Sequence, residues 1–434
     1  VFVTLFLDLI GFSIIFPLFP SMLKYYLHNE GNLGLLGQFV KAIDEFSAAA
    51  GGGQGGTVVL FGGLLGSLYS LLQFVFAPIM GSISDRYGRR PVLILSVAGM
   101  ALSYLLWFFS KTFLVLVLAR LVGGIMSGNI STATAVVADV TTDEDRPKGM
   151  AMIGIAFGIG FILGPAFGGI SAAFDLTQHW PGLAAYGVNP FSMPALVAFV
   201  LSLSNLLFVI MYFRETLPKE SPSRNRPMRT INPLKLFHAE TYPGVSKTNF
   251  TYFLFLSAFS GTEFALTFLA SDRFHYGPKG NALMLLFVGL VLAVMQGTYV
   301  RRRSAAIGAK RMSVHGLITA IPGLVLVGFA PHPAVLYLGL FFMALGSAQV
   351  IPCMTALASL YTPPDAQGRI LGVFRSLGAL ARALGPMLAC VVYWQLGPAK
   401  TYYLVAAFMA VPLVIAQSLP QPGGTLRETT VGEP

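Results

Sequence analysis

The sequence predicts an all-α membrane protein, with twelve spanning helices in two six-helix bundles. Three observations carry that prediction. Hydrophobic residues make up 55% of the 434 and charged residues only 11%, where a soluble domain carries about 25% charged. Twelve apolar runs, each near the ~20 residues that cross a bilayer, lie at 2–27, 57–80, 92–110, 113–138, 150–174, 191–213, 250–270, 281–300, 312–330, 333–360, 370–396 and 401–419. The two halves also echo each other. GALARALGP at 378–386 matches GFILGPAFGG in the fifth run, and GSAQVIPCMTALASL in the tenth matches SGNISTATAVVADV in the fourth. The expected division is 1–213, a cytoplasmic linker 214–249, 250–419, and a tail 420–434. Two related halves with a site between them is a transporter plan.

Span 1 reads VTLFLDLIGFSIIFPLFPSMLKYYL. Asp8, Gly11, Pro17 and Pro20 interrupt its apolar pattern, so it reads as a bent segment facing the protein interior. In the long connection 28–56, Leu36, Phe39, Val40 and Ile43 recur at helical spacing, which predicts a short amphipathic helix. GGGQGG at 51–56 then reads as a flexible return.

Span 2 leads into GSISDRYGRRP at 81–91. These charges cannot lie in hydrocarbon, so the eleven residues are expected to form a polar turn at one membrane face. Gly81 and Gly88 permit a tight backbone. Asp85 lies within reach of Arg86, Arg89 and Arg90, and Pro91 suits the first turn of span 3.

Span 4 carries Arg120 and Asn129 and ends at Asp139. In span 5, Gly160, Gly164 and Gly168 recur every four residues, giving a flat face for a close helix neighbour, and Pro165 removes a local donor. Span 6 closes with RETLP, and 219–249 is polar and basic. GTYVRRRSAAIGAKR at 297–311 is a second copy of the 81–91 stretch without its acid.

The net charge of +10 is explained by topology and calls for no nucleic acid. With 81–91 placed on the cytoplasmic side, the same side holds nineteen Lys and Arg and the opposite side six. That bias satisfies the positive-inside rule, and an even span count puts both termini in the cytoplasm. The expected location is a multi-pass protein of the plasma membrane or an endomembrane, working as a monomer. The chain begins at Val1, and its first run exceeds the apolar core of a cleavable signal peptide. Cys353 and Cys390 fall inside spans and imply no disulfide framework. The sequons at Asn129 and Asn249 fall in span 4 and at the cytoplasmic face, so neither is expected to carry glycan. Six histidines and two cysteines form no Ser/His/Asp set, metal cluster or phosphate loop. No enzyme, metal or cofactor is expected.

Ionisable residues at membrane depth mark function by default. Five stand out: Asp8, Arg120, Glu263, Arg375 and Arg382. At about 1.5 Å per residue, Glu263 lies ~20 Å along span 7 and Arg382 ~18 Å along span 11, too deep to snorkel. Arg375 is ~8 Å in by the same measure, and it shares a helix face with Arg382. Guanidinium groups here would draw an anionic substrate, with Asn129, Gln349, Tyr252 and Thr262 as further lining candidates. Glu263 and Asp8 are the candidates for carrying a coupled proton. The other reading of the buried charges is a set of structural ion pairs.

GSISDRYGRR resembles the loop between helices 2 and 3 of the major facilitator superfamily. GFILGPAFGG resembles the span-5 motif of that superfamily's proton-coupled drug antiporters, and LDLIGFSIIFPLFP, ARLVGGIMSGNIS, RETLP, FLFLSAFSGTEF and FRSLGALARALGP extend the likeness along the chain. The resemblance implies alternating access and export of small organic anions or amphipathic drugs. It assigns gating to Gly81, Asp85, Arg86, Gly88, Arg89, Asp139, Gly164 and Pro165, with Asp85, Arg86 and Arg89 latched against Asp139 and the start of span 11. It gives Arg120 a part in proton movement. The loop departs from the family pattern at Ser84, where Gly or Ala usually precedes the acid. Against this reading stand an uncoupled facilitative carrier and a non-transporting membrane partner or sensor.

Overall fold

The computed structural model describes residues 2–31, 34–49, 57–141, 146–217, 242–362 and 367–421. They form twelve helices long and apolar enough to cross a membrane: Phe2–Glu30, Val58–Tyr87, Arg89–Phe108, Phe113–Val137, Gly158–His179, Ser192–Tyr212, Val245–Phe274, Pro278–Ser304, Ala309–Phe329, Pro333–Leu360, Ile370–Leu396 and Pro398–Gln417. These are spans 1 to 12, one for each apolar run. An extra helix, Leu35–Ala49, follows span 1, as the spacing of Leu36, Phe39, Val40 and Ile43 predicts. The GGGQGG stretch and most of the 214–249 linker lie outside the described residues.

The chain packs as two compact units, Val1–Ile231 with Leu266–Gly289, and Asn232–Ala265 with Leu290–Pro434. In the first unit, span 1 is broken as its prolines require. Helix Phe2–Ser13 gives way to a 3-10 turn at Phe16–Leu18 and resumes at Phe19. The Pro17 carbonyl at that break accepts from the Asn281 amide at 3.3 Å, and the same amide donates to the Thr267 carbonyl at 3.3 Å. Span 4 breaks at Ser127–Gly128 and restarts at Asn129.

Span 1 packs against spans 5 and 6. The glycine ladder of span 5 makes the first contact possible: a Cβ on Gly160 would sit 2.6 Å from the Leu9 side chain, and one on Gly164 would reach 2.8 Å from the Ile10 carbonyl. Two backbones this close are joined by a hydrogen bond, Ser13 Oγ to the Gly160 carbonyl at 3.1 Å. Lipid is as apolar as leucine, so such dispersion contacts and polar links hold membrane helices together. Pro165 lies inside the helix Arg146–Ser171 without ending it.

The stretch 81–91 is not the open turn its charges suggest. Span 2 stays helical through Tyr87, span 3 starts at Arg89, and Gly88 alone breaks the ladder. Its φ of +108° is a conformation glycine tolerates and other residues resist. The charges remain in polar company because the helix projects beyond the apolar run. The second copy repeats the device. Gly308, with φ +84°, separates helix Arg301–Ile307 from span 9. Two residues after each glycine a cation holds a distant carbonyl at or just past the end of a half's last span. Arg90 Nη2 donates to the Ile210 carbonyl in the last turn of span 6 at 2.8 Å, and Lys310 Nζ donates to the Leu419 carbonyl two residues past span 12. The internal repeat is therefore visible in side-chain roles as well as in sequence.

Candidate functional site

In the first unit the break in span 4 presents Asn129 to Asp8 on span 1. Asn129 Nδ2 donates to Asp8 Oδ2. From span 6, Asn205 Nδ2 donates to Asp8 Oδ1 at 3.4 Å and to the Thr4 carbonyl at 3.0 Å. All three side chains are buried, Asp8 at 8% exposure and the two asparagines at 1% or less. A carboxyl taken out of water is tolerable only with such donors. No cation stands within ion-pair distance of Asp8 among the described residues.

Arg120, also buried, points elsewhere. Its guanidinium lies 4.4 Å from the centroid of the Tyr69 ring and 6.0 Å from that of Phe12. Ring faces attract a cation, by about 2 kcal/mol when desolvated. Arg120 Nε and Nη2 and the Tyr104 hydroxyl are buried without hydrogen-bond partners. Tyr69 and Tyr104 sit close enough to feel both the Asp8 and the Arg120 charges. One acid, one guanidinium and two phenols thus share the middle of this unit.

The second unit gathers its own cluster. Tyr252 on span 7 stacks on Phe374 of span 11, with centroids 4.0 Å apart and planes 18° from parallel. Its ring abuts Gly378, where a Cβ would lie 3.1 Å from Tyr252 Cε1. Gly378 falls between Arg375 and Arg382 on the same helix, and Tyr252 interacts with both charges. Glu263, further along span 7, interacts with the Arg382 charge. Glu263, Arg375 and Arg382 are partly exposed while Tyr252 is buried. Span 11 therefore offers two guanidinium groups two turns apart, with an aromatic ring between and a carboxyl opposite the deeper one.

At the Gly88 face, Arg89 is nearly buried. Its Nη1 donates to Asp85 Oδ1 at 2.5 Å and to Ser84 Oγ at 2.7 Å, and its Nε to Asp139 Oδ2 at 2.9 Å. Glu215 of RETLP completes the knot, accepting from the backbone N–H of Arg89 at 2.8 Å and of Arg90 at 3.1 Å. Burial pushes the Glu215 carboxyl up, but the N–H groups of Leu217, Arg89, Arg90 and Thr216 outweigh it and hold it below the ordinary carboxylate value.

Asp8, Asn129, Arg120, Asp85, Arg89 and Asp139 thus fall in the first unit, and Tyr252, Glu263, Arg375 and Arg382 in the second. Arg86 stays outside the latch, exposed and 5.6 Å from the Tyr87 ring. Gly81 packs against Ser131 of span 4. Gln349 joins neither cluster: its Nε2 turns back to the Leu345 carbonyl of its own helix at 3.1 Å, and its Cβ faces Gly316. Thr262 likewise bonds back to Ala258 at 2.9 Å. Asn129 and Asn249 are both buried, at 1% and 4% exposure. The start of span 11, named as a partner of the latch, falls partly outside the described residues.

Asn205, Tyr69, Tyr104 and Glu215 are not singled out by the sequence. Glu215 carries a signal, an acid closing span 6 in RETLP. A lone asparagine or tyrosine in an apolar run has none.

A family model described as Major Facilitator Superfamily matches residues 1–386 and, again, 299–422. Among curated proteins, the chain is similar to major facilitator superfamily domain-containing protein 10 of Bos taurus, at 37% identity over 98% of this chain and 93% of that protein. The Homo sapiens counterpart is 35% identical over 98% and 94%. The class B tetracycline resistance protein of Escherichia coli is 27% identical over 98% and 96%. Among solved structures, the human organic anion transporter MFSD10 (TETRAN) superposes with a TM-score of 0.75 at 35% identity, covering 96% of this chain and 97% of that one. A D-xylose-proton symporter, at TM-score 0.71 and 15% identity over 98% of both chains, shares the fold.

Proposed function

The chain belongs to the major facilitator superfamily, whose members are transporters and not enzymes, and from that premise we propose that it is a proton-coupled exporter of small organic anions or amphipathic drugs. The observation that carries the proposal is the pair of guanidinium groups on span 11, Arg375 and Arg382, on either side of Tyr252, with Glu263 beside Arg382. Guanidinium stays charged at every working pH and grips a carboxylate through two parallel N–H bonds. Tyr252, stacked on Phe374, brings an aromatic edge between the two guanidinium groups for the apolar body of the same molecule. Arg382 and Arg375 are the anion anchors in this reading.

Glu263 is positioned to answer the anion. An anion bound at Arg382 competes with the Glu263 carboxylate for the same charge, so substrate arrival favours protonated Glu263 and substrate release favours its ionised form. That competition couples the two fluxes. Asp8, in the other unit, is a second proton site, with Arg120 beside its phenol neighbours to assist. The names of the similar proteins, an organic anion transporter and tetracycline resistance proteins, support the substrate class. Residues 81–91 face the cytoplasm in this proposal, as the Lys and Arg bias requires, with the Arg89 latch at the inner gate and the Gly164–Pro165 face at the moving contact of spans 1 and 5.

The test is uptake into proteoliposomes of an amphipathic carboxylate driven by an imposed pH gradient. Wild type accumulates the anion, and Glu263→Gln reaches the same amount in the membrane but ignores the gradient. Unchanged gradient dependence in Glu263→Gln rules out coupling at this site. Gradient-independent exchange in the wild type marks an uncoupled carrier, and binding without counterflow marks a sensor.

A further inference from the structure

Around Asp8 the donors and acceptors do not balance in both charge states. With the carboxylate ionised, Asn129 and Asn205 each give it an N–H. Asn205 is fully buried, and its Nδ2 also holds the Thr4 carbonyl, which fixes which way the amide points. Its carbonyl oxygen Oδ1 is left buried with no partner. A buried acceptor without a donor is rare in folded proteins and calls for an explanation.

Protonation of Asp8 supplies one. A carboxylic acid carries an O–H that needs an acceptor, yet both amides now offer it hydrogens only. Tyr69 and Tyr104 are the titratable groups that sense the Asp8 charge, and Arg120 beside them brings hydrogens only. The Tyr104 and Thr4 hydroxyls are also buried acceptors without partners, but neither is bonded to Asp8, whereas Asn205 already is. Span 5 brings Gly160 against Leu9 in this turn, and that contact is not titratable. The idle oxygen of Asn205 is an acceptor within one side-chain rotation of the acid. Reversing the amide lets Oδ1 take the acid proton and withdraws the N–H from Thr4, whose carbonyl keeps its helical bond to the residue four further on.

We propose that Asn205 is the positioning residue for the proton on Asp8: its amide donates to the carboxylate, reverses to accept from the acid, and in reversing releases the link between span 6 and the Thr4 carbonyl of span 1. This rests on Asp8 being a proton site.

The experiment is pH-jump infrared difference spectroscopy on the intact protein in lipid, with asparagine carbonyls carbon-13 labelled. On acidification, wild type should show a protonated-carboxyl band that is missing in Asp8→Asn, together with a shifted asparagine carbonyl band that is missing in Asn205→Leu. In Asn205→Leu the carboxyl band should persist but move to higher frequency, as an O–H without an acceptor does. An asparagine band that stays still in labelled wild type while the Asp8 band appears overturns the role of Asn205 alone, and needs no variant to fold. Absence of any Asp8 carboxyl band overturns Asp8 as a proton site and this inference with it.

Discussion

Arg89 Nε donates to Asp139 Oδ2 at 2.9 Å across fifty residues of sequence, and the same guanidinium holds Asp85 at 2.5 Å. Spans 2, 3 and 4 are thereby tied at the Gly88 face by one side chain that is 6% exposed. Asp139→Ala leaves Arg89 its bonds to Asp85 and Ser84, so it is expected to cost about 1–2 kcal/mol, one charged hydrogen bond, read as a lower melting temperature in nanodiscs. Arg89→Lys should keep the fold but lose the fork that reaches two acids, and initial transport rate should fall about tenfold.

Glu215 gives that knot a pH dependence. Its carboxyl is held below the ordinary value in the fold. Its contribution is therefore complete above about pH 4.5, the ordinary carboxyl value, and is lost as the pH falls through its lowered folded value. The melting-temperature gap between wild type and Glu215→Gln should be full at neutral pH and narrow only below that point. A gap that is constant from neutral to acid would show that the N–H bonds do not depend on the charge.

Close approach of spans 1 and 5 should be intolerant of bulk. Gly164→Val places carbon against the Ile10 carbonyl and Ser13, and overpacking of this kind costs about 1–3 kcal/mol. Gly158, on the same helix with nothing within 4 Å of an added Cβ, is the control. Gly158→Ala should melt like wild type.

Anion recognition should follow guanidinium geometry. Arg382→Lys keeps the charge but loses the bidentate fork, and KM for a carboxylate substrate is expected to rise about tenfold, ~1.4 kcal/mol. Tyr252→Leu should weaken aromatic anions more than aliphatic ones. Both are read from concentration series in the same vesicles.

Much of this architecture is legible in the amino-acid sequence. Twelve spans follow from apolar run length, because a bilayer forces one solution on a hydrophobic stretch of that size. The bend in span 1 and the flat face of span 5 follow from prolines and glycines whose backbone effects are local. The buried charges announce themselves by their cost. Pairing between distant side chains is what sequence hides. Asn129 is legible only as a polar residue on span 4, and nothing in its neighbourhood points to Asp8. Asn205 sits in a run with no period to single it out. Gln349 is equivalent to Asn129 by pattern but bonds to its own helix, because a longer amide reaches the carbonyl one turn back. The 81–91 stretch reads as a turn because charge excludes hydrocarbon, yet charge does not exclude helix. One glycine at φ +108° suffices for the reversal.

Coupling of anion to proton is the central claim, and it is open to direct measurement. The quantity to follow is the internal pH of liposomes holding the purified protein, reported by a trapped dye, after a carboxylate substrate is added outside with no gradient imposed. Because a bound anion favours a protonated Glu263, anion and proton travel together, which predicts a substrate-dependent internal acidification that Glu263→Gln removes while substrate binding persists. Substrate movement with no pH change in the wild type would contradict it.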